Sequence, residues 1–162
     1  NSDAQEPWHY TVGAGDRLAS EQWHDAGPLS AYDLTLRGPN GLWRRYAGSL
    51  TPEASRADVF LVAHPDTGAV ELVLRNGGTS RMTFTIALDE HYPTSGSRTR
   101  TVQVEPGAEG REHWPLARSD HWFDFVITVD STPTFLRRFA GKVETGRPGR
   151  TDPGIGPMRL KI

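Results

Sequence analysis

The chain contains no cysteine. Disulfides, thiolate metal sites and a cysteine nucleophile are therefore excluded. It also has little net charge: 18 Lys and Arg against 20 Asp and Glu leave −2. That balance gives no bulk attraction to nucleic acid or to anionic lipid. No apolar run approaches the length of a membrane span, and no stretch carries a helical stripe. The first residues, NSDAQEP, are polar and do not form a signal peptide. Either a signal has been removed or the sequence is an internal piece of a longer protein.

Turn residues are abundant, with 17 Gly and 12 Pro in 162 residues. Between the turns the dominant pattern has period two. VELVLRN sets Val70, Leu72 and Leu74 on one face. RMTFTIALD does the same for Met82, Phe84, Ile86 and Leu88, and WFDFVITVD for Phe123, Phe125, Ile127 and Val129. AYDLTLRG groups Tyr32, Leu34 and Leu36. Such alternation predicts half-buried strands. DVFLVAH (58–64) is continuously apolar and predicts a strand buried on both faces. GPNG (38–41) predicts a tight turn, and HPDTGA (64–69) and RNGGTS (75–80) predict hairpin loops. The expected fold is all-β: an antiparallel β-sandwich of roughly seven to nine short strands. Residues 1–29 are expected to be the end of a preceding repeat or leading strands packed on the sandwich. The sandwich itself is expected over 30–145, followed by a Gly/Pro-rich tail over 146–162.

One heptapeptide occurs nearly twice: LWRRYAG at 42–48 and FLRRFAG at 135–141. Aligned outward, Asp33 falls on Asp124, Tyr32 on Phe123, Leu34 on Phe125 and Leu36 on Ile127. Trp23 falls on Trp114, and YTVGAG (10–15) on VQVEPG (102–107). The offset stays near 92 residues, which is the signature of an internal repeat. Two readings stay open. One is a tandem repeat of about 90 residues whose first copy lacks its N-terminal half. The other is two similar hairpins inside one pseudo-symmetric sandwich.

If GPNG closes its hairpin without a bulge, Asp33 lies opposite Tyr46 and diagonally near Arg44. The same construction puts Asp124 near Arg137. Structural ion pairs Asp33–Arg44 and Asp124–Arg137 are expected on that basis. Arg45 and Arg138 then point the other way. A one-residue slip would reverse both statements.

Catalytic motifs are not found: no GxSxG, HExxH or P-loop occurs, and the six histidines fit no ligand spacing. Asp89, Glu90 and His91 could hold a metal with His64 only if two loops meet. Ser119, Asp120 and His121 adjoin in sequence, whereas a triad draws its members from separate segments. Asp66, Asp89 and Asp130 stand at loop ends, where carboxylates mostly cap backbone amides. No catalytic residue, metal or cofactor is expected. Trp23 and Trp114 repeat and read as packing residues. Trp43, beside Arg44 and Arg45, is different. An aromatic next to cations suits a lipid headgroup as well as a covering neighbour, so Trp43 and Arg45 are candidate surface or lipid contacts.

YDLTLRGPNGLWRRYAG, VLRNGGTSRMTFTIALDEHY, VEPG, SDHWFDFVITV and FLRRFAGKVETGRPGRTDP together resemble the C-terminal domain of bacterial phosphocholine-preferring phospholipase C. The resemblance covers residues 30–153 as one full copy. The chain departs from the family pattern at Leu42-Trp43. The resemblance implies a secreted, bacterial, phospholipid-related parent with a large catalytic phosphoesterase domain as partner. Here it implies a non-catalytic accessory domain that supports that partner or orients it on a phospholipid surface, with no nucleic-acid role. The competing reading is a free-standing lipid- or carbohydrate-binding module.

Overall fold

The computed structural model describes residues 9–19, 31–50 and 56–154. Among the described residues nine strands follow in chain order: β1 (Ala31–Arg37), β2 (Trp43–Ser49), β3 (Ala57–His64), β4 (Ala69–Asn76), β5 (Met82–Leu88), β6 (Thr99–Val104), β7 (Glu109–Trp114), β8 (Trp122–Val129) and β9 (Thr132–Lys142). They form two antiparallel sheets. The larger has the order β1-β2-β9-β8-β5-β6 and the smaller β3-β4-β7. The expected sandwich is the observed fold. Trp8, Trp23 and most of residues 1–29 lie outside the described residues, as do 155–162.

Period-two strands bury one face. Along β5 buried and part-buried residues alternate without exception. Phe84, Ile86, Phe125 and Ile127 are fully buried, as are Leu72, Leu74 and Trp114 across from them. Trp114 meets Phe125 edge-on at 5.0 Å, and Phe123 stacks on Phe125 at 5.6 Å. Each such aromatic buries 150–250 Å² or so and supplies much of the apolar driving force. At one end Arg100 covers this core, its guanidinium 3.8 Å from the Trp114 ring centre and bonded to Glu112 at 2.8 Å.

Two local expectations are corrected. DVFLVAH is not buried on both faces: β3 is an edge strand of the smaller sheet, with Phe60 and Val62 exposed. Apolar composition alone does not report how many neighbours a strand has. RNGGTS is not a hairpin loop either, because β4 and β5 lie in different sheets. The chain crosses between sheets there, organised by Asn76. This residue has no exposed surface. Its side-chain amide donates to Ser80 O at 2.8 Å and Val104 O at 2.9 Å, and its side-chain oxygen accepts from Gly78 N–H at 2.8 Å. Its backbone N–H and C=O pair with Ala108 and Gly107.

After β9 the tail packs back through residue 152. Trp122 Nε1 donates to Arg150 O at 3.0 Å, the Arg150 N–H donates to Asp120, and Tyr92 Oη donates to Asp152 at 2.9 Å. Burial, reinforced by the Asp152 carboxylate, pushes the Tyr92 phenol well above its ordinary pKa.

Asn76→Ala strips three side-chain hydrogen bonds from a closed site. It is expected to cost about 3 kcal/mol, since each polar group left bare costs about 1–3 kcal/mol. Urea denaturation followed by tryptophan fluorescence reads this directly; a loss below about 1 kcal/mol would refute the role given to Asn76.

Candidate functional site

The duplicated heptapeptides lie side by side as β2 and β9. In their ladder Arg45 faces Arg138, Arg44 faces Phe139, and Tyr46 faces Arg137. Arg45 thus opposes its own equivalent, and Arg44 and Tyr46 each oppose the equivalent of the other. The two hairpins, β1–β2 and β8–β9, are related by a local two-fold axis at the Arg45–Arg138 pair. Both lie in a single sheet.

The hairpin loops set which arginine faces which way. The first hairpin closes through Gly38 N–H to Leu42 O at 2.9 Å, leaving a three-residue loop, Pro39-Asn40-Gly41. Asn40 and Gly41 both have positive φ, 55° and 69°. Asp33 is consequently opposite Ala47 rather than Tyr46. In the second hairpin the ladder is irregular after Thr128, and Thr128 pairs with Leu136 while Val129 pairs with Thr132. Pro133, which has no N–H to give, lies in the extra stretch. Asp124 is therefore opposite Ala140 rather than Phe139.

This one-residue shift corrects the expected ion pairs. Asp33 binds Arg45, not Arg44, with contacts of 2.8 and 2.5 Å. Asp124 binds Arg138, not Arg137, at 2.8 and 2.6 Å. Both pairs are bidentate forks on the outer face of the larger sheet. They differ in burial: the side chains of Asp33 and Arg45 are 52% and 40% exposed, against 9% for Asp124 and 29% for Arg138. The hydrogen bonds from Arg45 hold the Asp33 carboxyl below its ordinary pKa.

Arg44 and Arg137 point inward instead, and each is held by the opposite hairpin. Arg137 is buried. Its Nη1 donates to Ala47 O at 3.0 Å and Leu136 O at 3.1 Å, and its Nη2 donates to Tyr32 Oη at 2.9 Å. The guanidinium lies 5.7 Å from the Tyr32 ring, 5.4 Å from Tyr46 and 4.3 Å from Phe135. Arg44 repeats the arrangement. Nη1 donates to Trp43 O at 2.9 Å and Ala140 O at 2.5 Å, with Phe123 at 5.8 Å and Phe139 at 5.5 Å. Burial pulls the Arg44 pKa below its usual value. Cation–π contacts of this kind are worth about 0.5–2 kcal/mol each.

Trp43 is half-buried on the outer face, two residues from Arg45. Arg138 lies over its ring at 4.1 Å and Arg37 at 5.8 Å. On the inner side, three strands cannot cover six. An open groove of ≈ 380 Å³ remains, lined by Arg44, Tyr46, Asp58, Val59, Phe60, Leu61 and Phe139. Asp58 and Phe60 were not singled out in the sequence, because their place beside Arg44 depends on the stacking of two sheets. Tyr32 could have been flagged by its alignment with buried Phe123.

The other candidate groups are engaged locally. His91 Nδ1 bonds Asp89 at 2.7 Å, while His64 lies against His113, 6.1 Å between ring centres. Buried Ser119 Oγ lies 2.6 Å from Trp122 O and 3.0 Å from Leu116 O. His121 Nδ1 meets Gly68 O at 2.9 Å. Among the described residues no group of three or more His, Asp or Glu converges as a metal site.

The buried Asp124–Arg138 fork should matter far more than its exposed twin. Asp124→Ala is expected to cost about 3–5 kcal/mol, because it strands a guanidinium that is largely covered. Asp33→Ala should leave the denaturation midpoint nearly unchanged. Equal losses would refute the assigned difference. A second expectation concerns pH. Asp89 raises the His91 pKa above 6.5. The His91–Asp89 contact therefore contributes below pH 6.5 and is lost as pH rises through the raised folded-state value. An NMR titration of His91 should show that upward shift and its disappearance in Asp89→Asn.

Comparison with known proteins places this geometry in a family. The family described as bacterial phospholipase C, C-terminal domain, matches residues 1–49 and 56–142, with the break between β2 and β3. The chain is similar to a non-hemolytic phospholipase C of Burkholderia pseudomallei, 38% identical over 159 residues, covering 92% of this chain and 21% of that protein. It is similar to a non-hemolytic phospholipase C of Pseudomonas aeruginosa at 36% identity, covering 93% of this chain and 22% of the relative. A hemolytic phospholipase C of the same organism is 35% identical over 125 residues, 75% of this chain and 17% of the relative. The chain thus spans about a fifth of the length of the relatives it matches. With its sandwich fold and twin arginine hairpins, the chain belongs to the family of bacterial phospholipase C C-terminal domains.

Proposed function

We propose that this chain is a non-catalytic accessory domain of a secreted bacterial phospholipase C. Its neighbour in that reading is the catalytic phosphoesterase domain of the same parent, which it supports or orients on a phospholipid surface. The observation that carries the proposal is the use made of the duplicated arginines. Arg44 and Arg137 are held by carbonyls and rings, and Arg45 and Arg138 by carboxylates, all within the sheet. The strongest motif in the sequence therefore serves architecture and not a reacting substrate. The share of each relative that the chain covers supports the same reading.

The candidate lipid contact is the outer-face patch of Trp43 with Arg45. An indole flanked by guanidinium groups suits the interfacial layer of a membrane, where an apolar ring and cationic neighbours are both accommodated. Because Arg45 is already paired with Asp33, the indole supplies most of the expected contact.

Liposome co-sedimentation tests the membrane role. Wild type should pellet with phosphatidylcholine vesicles, and Trp43→Ala should remain mostly in the supernatant. If neither protein pellets, membrane docking is refuted and only the supporting role stands. The isolated chain should release no product from a phosphocholine ester; turnover would overturn the non-catalytic assignment.

A further inference from the structure

The chain holds three asparagines, Asn1, Asn40 and Asn76, and the last two are each followed by glycine. An asparagine before glycine is open to attack by the next backbone nitrogen on its side-chain amide, because glycine has no Cβ to hinder the approach. The fold treats the two pairs in opposite ways. Asn76 is closed to the reaction. It has no exposed surface. Its amide donates to Ser80 O and Val104 O, and its side-chain oxygen accepts from the Gly78 N–H. The nucleophile is engaged too, since the Gly77 N–H donates to Arg56 O at 2.7 Å. Ring closure at Asn76 would have to break these hydrogen bonds in a buried site.

Asn40 is open on each of these counts. Asn40 and Gly41 are both exposed, in the Pro39-Asn40-Gly41 loop. Neither the Gly41 N–H nor the Asn40 C=O has a hydrogen-bond partner among the described residues. The loop is closed around that peptide, by Gly38 N–H to Leu42 O and by Leu42 N–H to Pro39 O. The Asn40–Gly41 peptide plane can therefore turn toward the side chain without giving up a backbone hydrogen bond. One contact holds the side-chain amide: Nδ2 donates to Glu144 Oε1 at 3.3 Å, in an exposed position. That is longer than the usual N–H···O distance of about 2.9–3.0 Å, and water competes for both groups.

We propose that Asn40 is a site of spontaneous deamidation in the folded protein, that Asn76 is protected, and that the product loosens the first hairpin. The Gly41 nitrogen forms a bond to Asn40 Cγ, the Cγ–Nδ2 bond breaks, and Nδ2 leaves as ammonia with the Gly41 amide proton. Water then opens the five-membered imide at either carbonyl. Its hydroxyl goes to that carbon and its proton returns to the Gly41 nitrogen. Opening at one carbonyl leaves aspartate at position 40; opening at the other leaves isoaspartate, in which the main chain runs through Cβ. Either product puts a carboxylate where an amide had donated to Glu144, so a weak attraction becomes a repulsion between like charges. Isoaspartate also adds one main-chain atom to a loop of three residues. That loop fixes the register that brings Asp33 and Arg45 to one face.

Ageing the chain in mildly alkaline buffer and mapping its peptides by mass spectrometry tests the proposal. In the folded chain Asn40 should convert to a mixture of aspartate and isoaspartate, the latter read by isoaspartyl methyltransferase labelling. Asn76 should convert about tenfold more slowly or less, since it must wait for local opening. In urea the two rates should come together. The separated isoaspartate form should show faster amide exchange over β1 and β2 than the fresh chain. An Asn40 that persists in the folded chain yet converts in urea overturns the site. So does an Asn76 that keeps pace with Asn40 in the folded chain. Unchanged exchange in β1 and β2 overturns the loosening.

Discussion

The β2–β9 seam is the contact on which the rest of the sandwich depends. Two copies of one arginine-rich strand pair antiparallel there, and each inward arginine is held by the other hairpin. A buried guanidinium is costly unless its donors are met. Across the seam Arg137 donates to Ala47 O and the Tyr32 hydroxyl and lies against the Tyr32 and Tyr46 rings, while Leu136 O and Phe135 come from its own strand and its Nε, 3.8 Å from Asp58, makes no hydrogen bond. The cross-seam contacts would be lost if the hairpins separated. The seam therefore couples the outer hairpin β1–β2 to the core-bearing half of the sheet.

From the seam the molecule becomes asymmetric. On one side β8 and β5 lie under the smaller sheet and carry the aromatic core. On the other, β1 and β2 extend beyond it. Strands are spaced about 4.8 Å apart, so three of them cover about half the width of six. The uncovered half forms the groove beside Arg44 and Phe60 and leaves Leu34 and Leu36 exposed. The two outer-face forks show the same gradient in a different coin: identical chemistry, but one carboxylate nearly covered and the other in water.

Much of the larger sheet was legible in advance. Phe84, Ile86, Phe125 and Ile127 stand at every second position of their strands, and all are buried. The repeat was legible too, since it is a property of residue identity alone. The arginine partners were not. Whether GPNG closes over two residues or three is decided by the conformation of Asn40 and Gly41, and that one residue reverses the face of every side chain on the strand. β3 misled for another reason. Its apolar run says that it packs, but not that it stands at an edge with Phe60 exposed.

By itself the sequence determined the class of fold, the period of its strands and the presence of a duplicated hairpin, because these follow from alternation and identity along the chain. Tertiary structure alone decided that the two hairpins meet in one sheet, that Arg45 and Arg138 take the carboxylates while Arg44 and Arg137 turn inward, and that β1 is the terminal strand of its sheet among the described residues. Each of those outcomes depends on a loop's parity or on a partner strand about 90 residues away, and neither is encoded in a local pattern.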